Sequence, residues 1–129
     1  MKKIIICLVA VAFSALSFAQ EIEVTPENFA KEVTNSSDEY FVLKVYADWC
    51  SPCQKMKKVT EELSNLAEFK NKNIKFKKLN CNHAALTHLL GVKYLPTLIL
   101  YGPDGEITRL VGGMSKTDVK SALKKNFNL

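Results

Sequence analysis

Cys50 and Cys53, separated by Ser51-Pro52, follow an apolar run and open a helical pattern, and no other side chains in this chain are better spaced for chemistry. Such a pair either closes and reopens a small disulfide or gives two thiolates to a metal ion. The redox role needs one thiol that ionises near neutral pH and a second within reach of it. Cys50 at a helix N-terminus would feel unsatisfied amide groups and the positive end of the helix dipole, both of which stabilise a thiolate. Cys53, one turn on, is placed to resolve a mixed disulfide. Pro52 suits the first helical turn, where a missing amide costs little, and it stiffens the loop between the sulfurs. Zinc would need four ligands, and the next set, Cys81 with His83, is spaced too tightly for a second knuckle. Neither a metal nor a cofactor is expected.

The elements that must position the pair lie behind a leader. Met1-Lys2-Lys3 is a cationic start, Ile4 to Phe13 is apolar, and Ser17-Phe18-Ala19 places small residues at both specificity positions of a cleavage site. Ser14 and Ser17 interrupt the segment short of the ~20 apolar residues that span a bilayer. Residues 1–19 therefore read as a secretory signal peptide cleaved after Ala19, carrying Cys7 away, and residues 20–129 as a single domain. The expected location is across the inner membrane, in a bacterial periplasm, since Phe127-Asn128-Leu129 is not a retention signal. Cys50, Cys53 and Cys81 remain, an odd number that argues against a static disulfide scaffold. The net charge of +5 loses two with Lys2 and Lys3. Lys70, Lys72, Lys75, Lys77 and Lys78 form the one dense basic run, read as a solvated helix end and strand face, and nucleic acid is not an expected partner.

Within the mature chain, Glu21 to Val24 is a strand candidate, and Thr25-Pro26 starts a helix through about Val33. After a loop over Asn35 to Asp38, Tyr40 to Ala47 reads as a buried strand broken only by Lys44. Met56, Val59, Leu63 and Leu66 recur at helical spacing between Cys53 and about Phe69. Ile74 to Leu79 is a strand, and His83 to Leu90 a short helix ended by Gly91. Thr97 to Tyr101 and Ile107 to Val111 flank Gly102-Pro103-Asp104-Gly105 as a hairpin. Ser115 with Asp118 opens a last helix through about Phe127. The order βαβαβαββα calls for an α/β fold, a mixed central sheet with helices on both faces.

Tyr46-Ala47-Asp48-Trp49-Cys50-Ser51-Pro52-Cys53, Lys78-Leu79-Asn80, Leu95-Pro96-Thr97-Leu98 and Val111-Gly112-Gly113 follow the order and approximate spacing of the thioredoxin family. The resemblance covers essentially the whole mature chain and implies a thioredoxin fold. It implies that Cys50 is the nucleophile and Cys53 the resolving thiol of a redox-active disulfide, with Trp49 bracing the loop around them. It implies a cis peptide bond at Pro96, with Leu95 offering backbone groups to an extended substrate strand and Gly112 and Gly113 letting that strand approach. Ser51-Pro52 looks like the Gly-Pro linker of reducing members.

Two departures from the pattern bear on mechanism. Lys44 stands where most thioredoxins carry a buried aspartate that helps move the resolving thiol's proton. A buried neutral amine would accept that proton, a retained ammonium would stabilise thiolates, and a third reading has the head group reaching solvent. Lys78, at the position of a lysine that usually accompanies the aspartate, adds a second positive charge. Lys57 and Lys58 occupy the region where many members kink the helix with proline, so a straighter helix is expected. Asp48 reads as a surface residue, Cys81 as a buried small hydrophobe in preference to a regulatory thiol, and His83 and His88 as helix-surface residues.

The resemblance implies a thiol-disulfide oxidoreductase that reduces protein disulfides; the oxidising compartment pushes against that direction, so such a reductant needs a supply of electrons, expected from a membrane electron-transfer protein, and a monomer is expected. Rival readings are a disulfide donor or isomerase on the same fold, and a binding or chaperone-like module with incidental cysteines.

Overall fold

The computed structural model describes residues 20–37 and 39–129. The leader, its cleavage site, Cys7 and Asp38 lie outside the described residues. Five strands form one mixed sheet: β1 (Ile22–Glu23), β2 (Phe41–Tyr46), β3 (Lys75–Asn80), β4 (Thr97–Gly102) and β5 (Gly105–Val111), in the spatial order β1-β3-β2-β4-β5. β3 runs parallel to both β1 and β2, while β4 is antiparallel to β2 and to β5. The helices are α1 (Ser51–Ser64), α2 (Ala67–Lys70), α3 (Ala84–Leu89) and α4 (Lys116–Asn126).

Alternation along β2 sends its side chains to two separate cores. Val42 packs with Phe76, Leu98 and Leu100 against Met56 and Leu63 of α1, Phe69 of α2, and Val119 and Leu123 of α4. Phe41, Leu43 and Val45 face the other side, against Leu79, Ile99 and Tyr101, with Phe29, Val33, Leu86 and Leu90 packed over them. The sheet is thus covered on both faces. Lys44 shares the α1 side with Val42, so the cation lies beneath the helix that carries Cys53.

Two helices and the basic run differ from the sequence expectation, each for a local reason. The first helix is absent as an α-helix: a turn precedes a single π-helical turn over Ala30–Thr34, closed by Asn35 N–H donating to Ala30 O at 2.7 Å. Asn28 sets the turn, accepting from Thr25 N–H at 2.7 Å and donating to Glu23 O at 2.9 Å. Asn28 Oδ1 thereby ties Thr25 into the turn, and the helix expected to start at Thr25-Pro26 does not form.

The second helix starts earlier than expected, at Ser51, and stops at Ser64. Ser64 and Asn65 side chains both donate to Glu61 O at 2.8 Å, and Leu66 turns extended before α2 begins. Through Lys57 and Lys58 the helix is continuous.

The basic run is not a uniformly solvated face. Because β3 is an interior strand, Lys77 points into the second core and is 1% exposed. Its ammonium donates to Glu32 O at 2.6 Å, pairs with Glu32 at 3.3 Å and Glu39 at 3.5 Å, and lies 4.0 Å from the Phe41 ring centroid.

Candidate active site

Cys50 is the N-cap of α1, in extended conformation, and its sulfur accepts the Cys53 amide N–H at 3.3 Å. Cys50 and Cys53 are joined as a disulfide, with their Cα atoms 5.2 Å apart. Pro52 falls in the first turn as its missing donor demands. Both cysteines are buried against Ala47, with Tyr46, Cys81 and Leu95 packed around them. On reduction, the same amide and the helix N-terminus would face the Cys50 sulfur, the arrangement that favours thiolate over thiol.

The fold brings the distant glycine and proline landmarks to this point. The Leu95–Pro96 peptide bond is cis. Gly112 N–H donates to Pro96 O at 2.8 Å, which ties the two loops together, and Gly112 has φ +87°. A Cβ built on Gly113 would meet Pro52 Cβ at 3.6 Å, so Gly113 borders the loop between the cysteines. Trp49, the residue before Cys50, stands 81% exposed. Tyr94 and Val111, 69% and 55% exposed, flank the Leu95–Pro96 and Gly112 segments and add apolar surface beside them.

Lys44 does not reach solvent. It is 2% exposed, and its ammonium meets Glu21 Oε2 at 2.9 Å, Glu21 Oε1 at 3.2 Å and Thr60 Oγ1 at 2.8 Å. Burial pushes the Lys44 ammonium below the usual lysine range, the Glu21 carboxylate beside it pulls in the other direction, and Lys78 adds a smaller downward push. Lys78 is the register partner of Lys44 across β2 and β3 and pairs with Glu23 at 3.5 Å. Tyr46 also donates to Glu23 at 3.1 Å, and burial together with that carboxylate pushes the phenol up to about 12. Lys44, Cys53, Tyr46, Asp48 and Lys57 line one cleft of about 160 Å³.

Asp48 is exposed, as expected, and accepts from Asn80 at 3.4 Å. Cys81 is half-buried rather than buried, at the edge of the cysteine cluster. His83 is the N-cap of α3 and His88 lies in its last turn. Glu21, Glu23 and Thr60 were not anticipated as parts of the site. The β1–β3 register that carries Glu23 to Lys78 has no local marker in the sequence, whereas Thr60, seven residues after Cys53, lies on the inward face of a helix whose apolar spacing was legible.

Comparison with known proteins agrees with this geometry. Residues 20–125 match the thioredoxin family model. The chain is 34% identical over 108 residues to a thioredoxin of Buchnera aphidicola subsp. Acyrthosiphon pisum, covering 83% of this chain and 96% of that protein. Among solved structures, a single-residue mutant of a thioredoxin from Halobacterium salinarum superposes with a TM-score of 0.72 at 25% identity, over 88% of this chain and 96% of that one. The thioredoxin of Malassezia sympodialis gives a TM-score of 0.71 at 18% identity, over 84% of this chain and 91% of that one, and speaks for the fold.

Proposed function

From the premise that this chain belongs to the thioredoxin family and carries a redox cysteine pair, we propose that it is an exported reductant of protein disulfides. The observation that carries this reading is the placement of Cys50 at the start of α1, its sulfur on the Cys53 amide, next to the exposed apolar surface of Trp49, Tyr94 and Val111. The Cys50 thiolate attacks a substrate disulfide and is joined to one substrate sulfur while the other leaves as a thiolate. An extended substrate segment lies along the backbone of Leu95 and Pro96 and is admitted by Gly112 and Gly113. Cys53 then attacks Cys50, the substrate's second thiol is released, and the Cys50–Cys53 disulfide closes. Ser51-Pro52 holds the two sulfurs at exchange distance throughout.

Working outside the inner membrane, such a reductant draws its electrons from a membrane electron-transfer protein and acts as a monomer. The likeness of Ser51-Pro52 to the linker of reducing members supports this direction of flow, and the leader expected over residues 1–19 supports the exported location. The test is a disulfide-reduction assay combined with trapping. The wild type is expected to reduce insulin disulfides with dithiothreitol as electron source, and Cys53→Ser to accumulate mixed disulfides on Cys50. A reduction potential near about −270 mV, typical of thioredoxin itself, supports a reductant, and one near about −120 mV supports a disulfide donor. Full activity in the Cys50→Ser, Cys53→Ser protein would sink both.

A further inference from the structure

The cleft beside Cys53 is built around a buried cation whose counter-ion comes from the far edge of the sheet. An ammonium carries three protons, and Lys44 Nζ meets three acceptors: both Glu21 oxygens, at 2.9 and 3.2 Å, and Thr60 Oγ1 at 2.8 Å. The Thr60 hydroxyl proton is directed to Met56 O at 3.1 Å or Lys57 O at 3.2 Å, which leaves its oxygen free to accept. A neutral amine would set its own lone pair against oxygen. The Lys44 and Glu21 side chains are 3% and 7% exposed, so water does little to share the load. Lys78 on β3 disfavours the charge and Glu61 on α1 favours it more weakly than Glu21 does. Glu23 is engaged by Lys78 and Tyr46. Asp48 and Lys57, which line the same cleft, bring one charge of each sign.

We propose that Glu21 is a positioning residue for thiol exchange: it keeps Lys44 an ammonium ion in the wall of the cleft onto which Cys53 opens, and that charge steadies the Cys53 thiolate. This deepens the exchange reading above and rests on it. In the resolving step the Cys53 thiol loses its proton to solvent and the thiolate attacks the Cys50 sulfur of the mixed disulfide. The Cys50–Cys53 bond forms as the bond from Cys50 to the substrate sulfur breaks, and the departing substrate thiolate takes a proton from solvent. The two electrons pass from the cysteine pair to the substrate. Lys44 neither gives nor takes a proton.

The test follows the alkylation rate of Cys53 against pH in a Cys7→Ser, Cys50→Ser, Cys81→Ser background, where Cys53 is the remaining thiol. Glu21→Gln is expected to raise the Cys53 titration midpoint by roughly one pH unit. Lys44→Met is expected to raise it equally, the two together to raise it no further, and Glu21→Asp to restore most of the original value. A midpoint that Glu21→Gln leaves unmoved or lowers would overturn the proposal. Should Glu21→Gln not fold, nitrogen NMR of Lys44 Nζ in the wild type decides: an ammonium signal persisting at pH 7.5 is expected, and a neutral amine there overturns it. Absence of disulfide turnover by the wild type would strike the exchange reading instead, since neither titration uses substrate.

Discussion

A buried lysine has a pH dependence with a definite sign. The folded protein holds Lys44 below its ordinary value of 10.5, with burial as the largest cause. Between that lowered value and 10.5 the unfolded chain binds more protons at this position than the folded one. The contribution of Lys44 to stability therefore rises with pH across that window, is complete above it, and is lost as pH falls through the folded value. Urea unfolding at several pH values is expected to give Lys44→Met a shallower alkaline-side rise in stability than the wild type. Identical slopes would mean that Lys44 titrates alike in both states. Of the three sequence readings of Lys44, the one with the head group in solvent is removed by Glu21 and Thr60. Burial of Lys44 was among the sequence readings, but its partner was not legible in β2, because the acid that offsets it precedes β1, which pairs with β3 rather than β2.

Elements stop and start where side chains take over backbone hydrogen bonds. The cap of α4 was readable, and Ser115 Oγ accepts Asp118 N–H at 3.2 Å. Ser115→Ala is expected to cost about 1 kcal/mol in urea unfolding while leaving the Cys50 alkylation rate unchanged. The end of α1 and the replacement of the first helix by a π-helical turn were not readable from apolar spacing, since both depend on short polar side chains bonding to nearby backbone. Gly112 is a second element-level position with a clear cost. No heavy atom beyond Gly112 and its two chain neighbours lies within 4 Å of a Cβ built there, yet φ is +87°, so Gly112→Ala is strained through its backbone alone. Calorimetry is expected to show a loss of roughly 1–2 kcal/mol, without the larger loss that a steric clash would add.

On the scale of the whole molecule, the sheet was legible because β2 and β4 are long apolar runs and the hairpin has a glycine-bounded turn. The site was legible in its sulfurs, its cis-proline, its glycines and its two lysines, Lys44 and Lys78, and illegible in the carboxylates that pair with them, Glu21 and Glu23, which come from the segment at β1. Leu98, fully buried on β4, sits in the core that supports α1 and α4. Leu98→Ala is expected to destabilise the protein by about 2–5 kcal/mol, read as a lower midpoint in urea. Lys77, enclosed by Phe41 and the π-helical turn, has a kinetic consequence. Acylating reagents need an exposed, unprotonated amine, so Lys77 can be labelled only while that turn is lifted from the sheet. Its labelling rate, set against that of exposed Lys55 by mass spectrometry, is expected to be slower by the local opening equilibrium. One core lysine would thus serve as a clock for transient exposure on the face of the sheet opposite α1, and labelling of Lys77 as fast as Lys55 would show that face to be open most of the time.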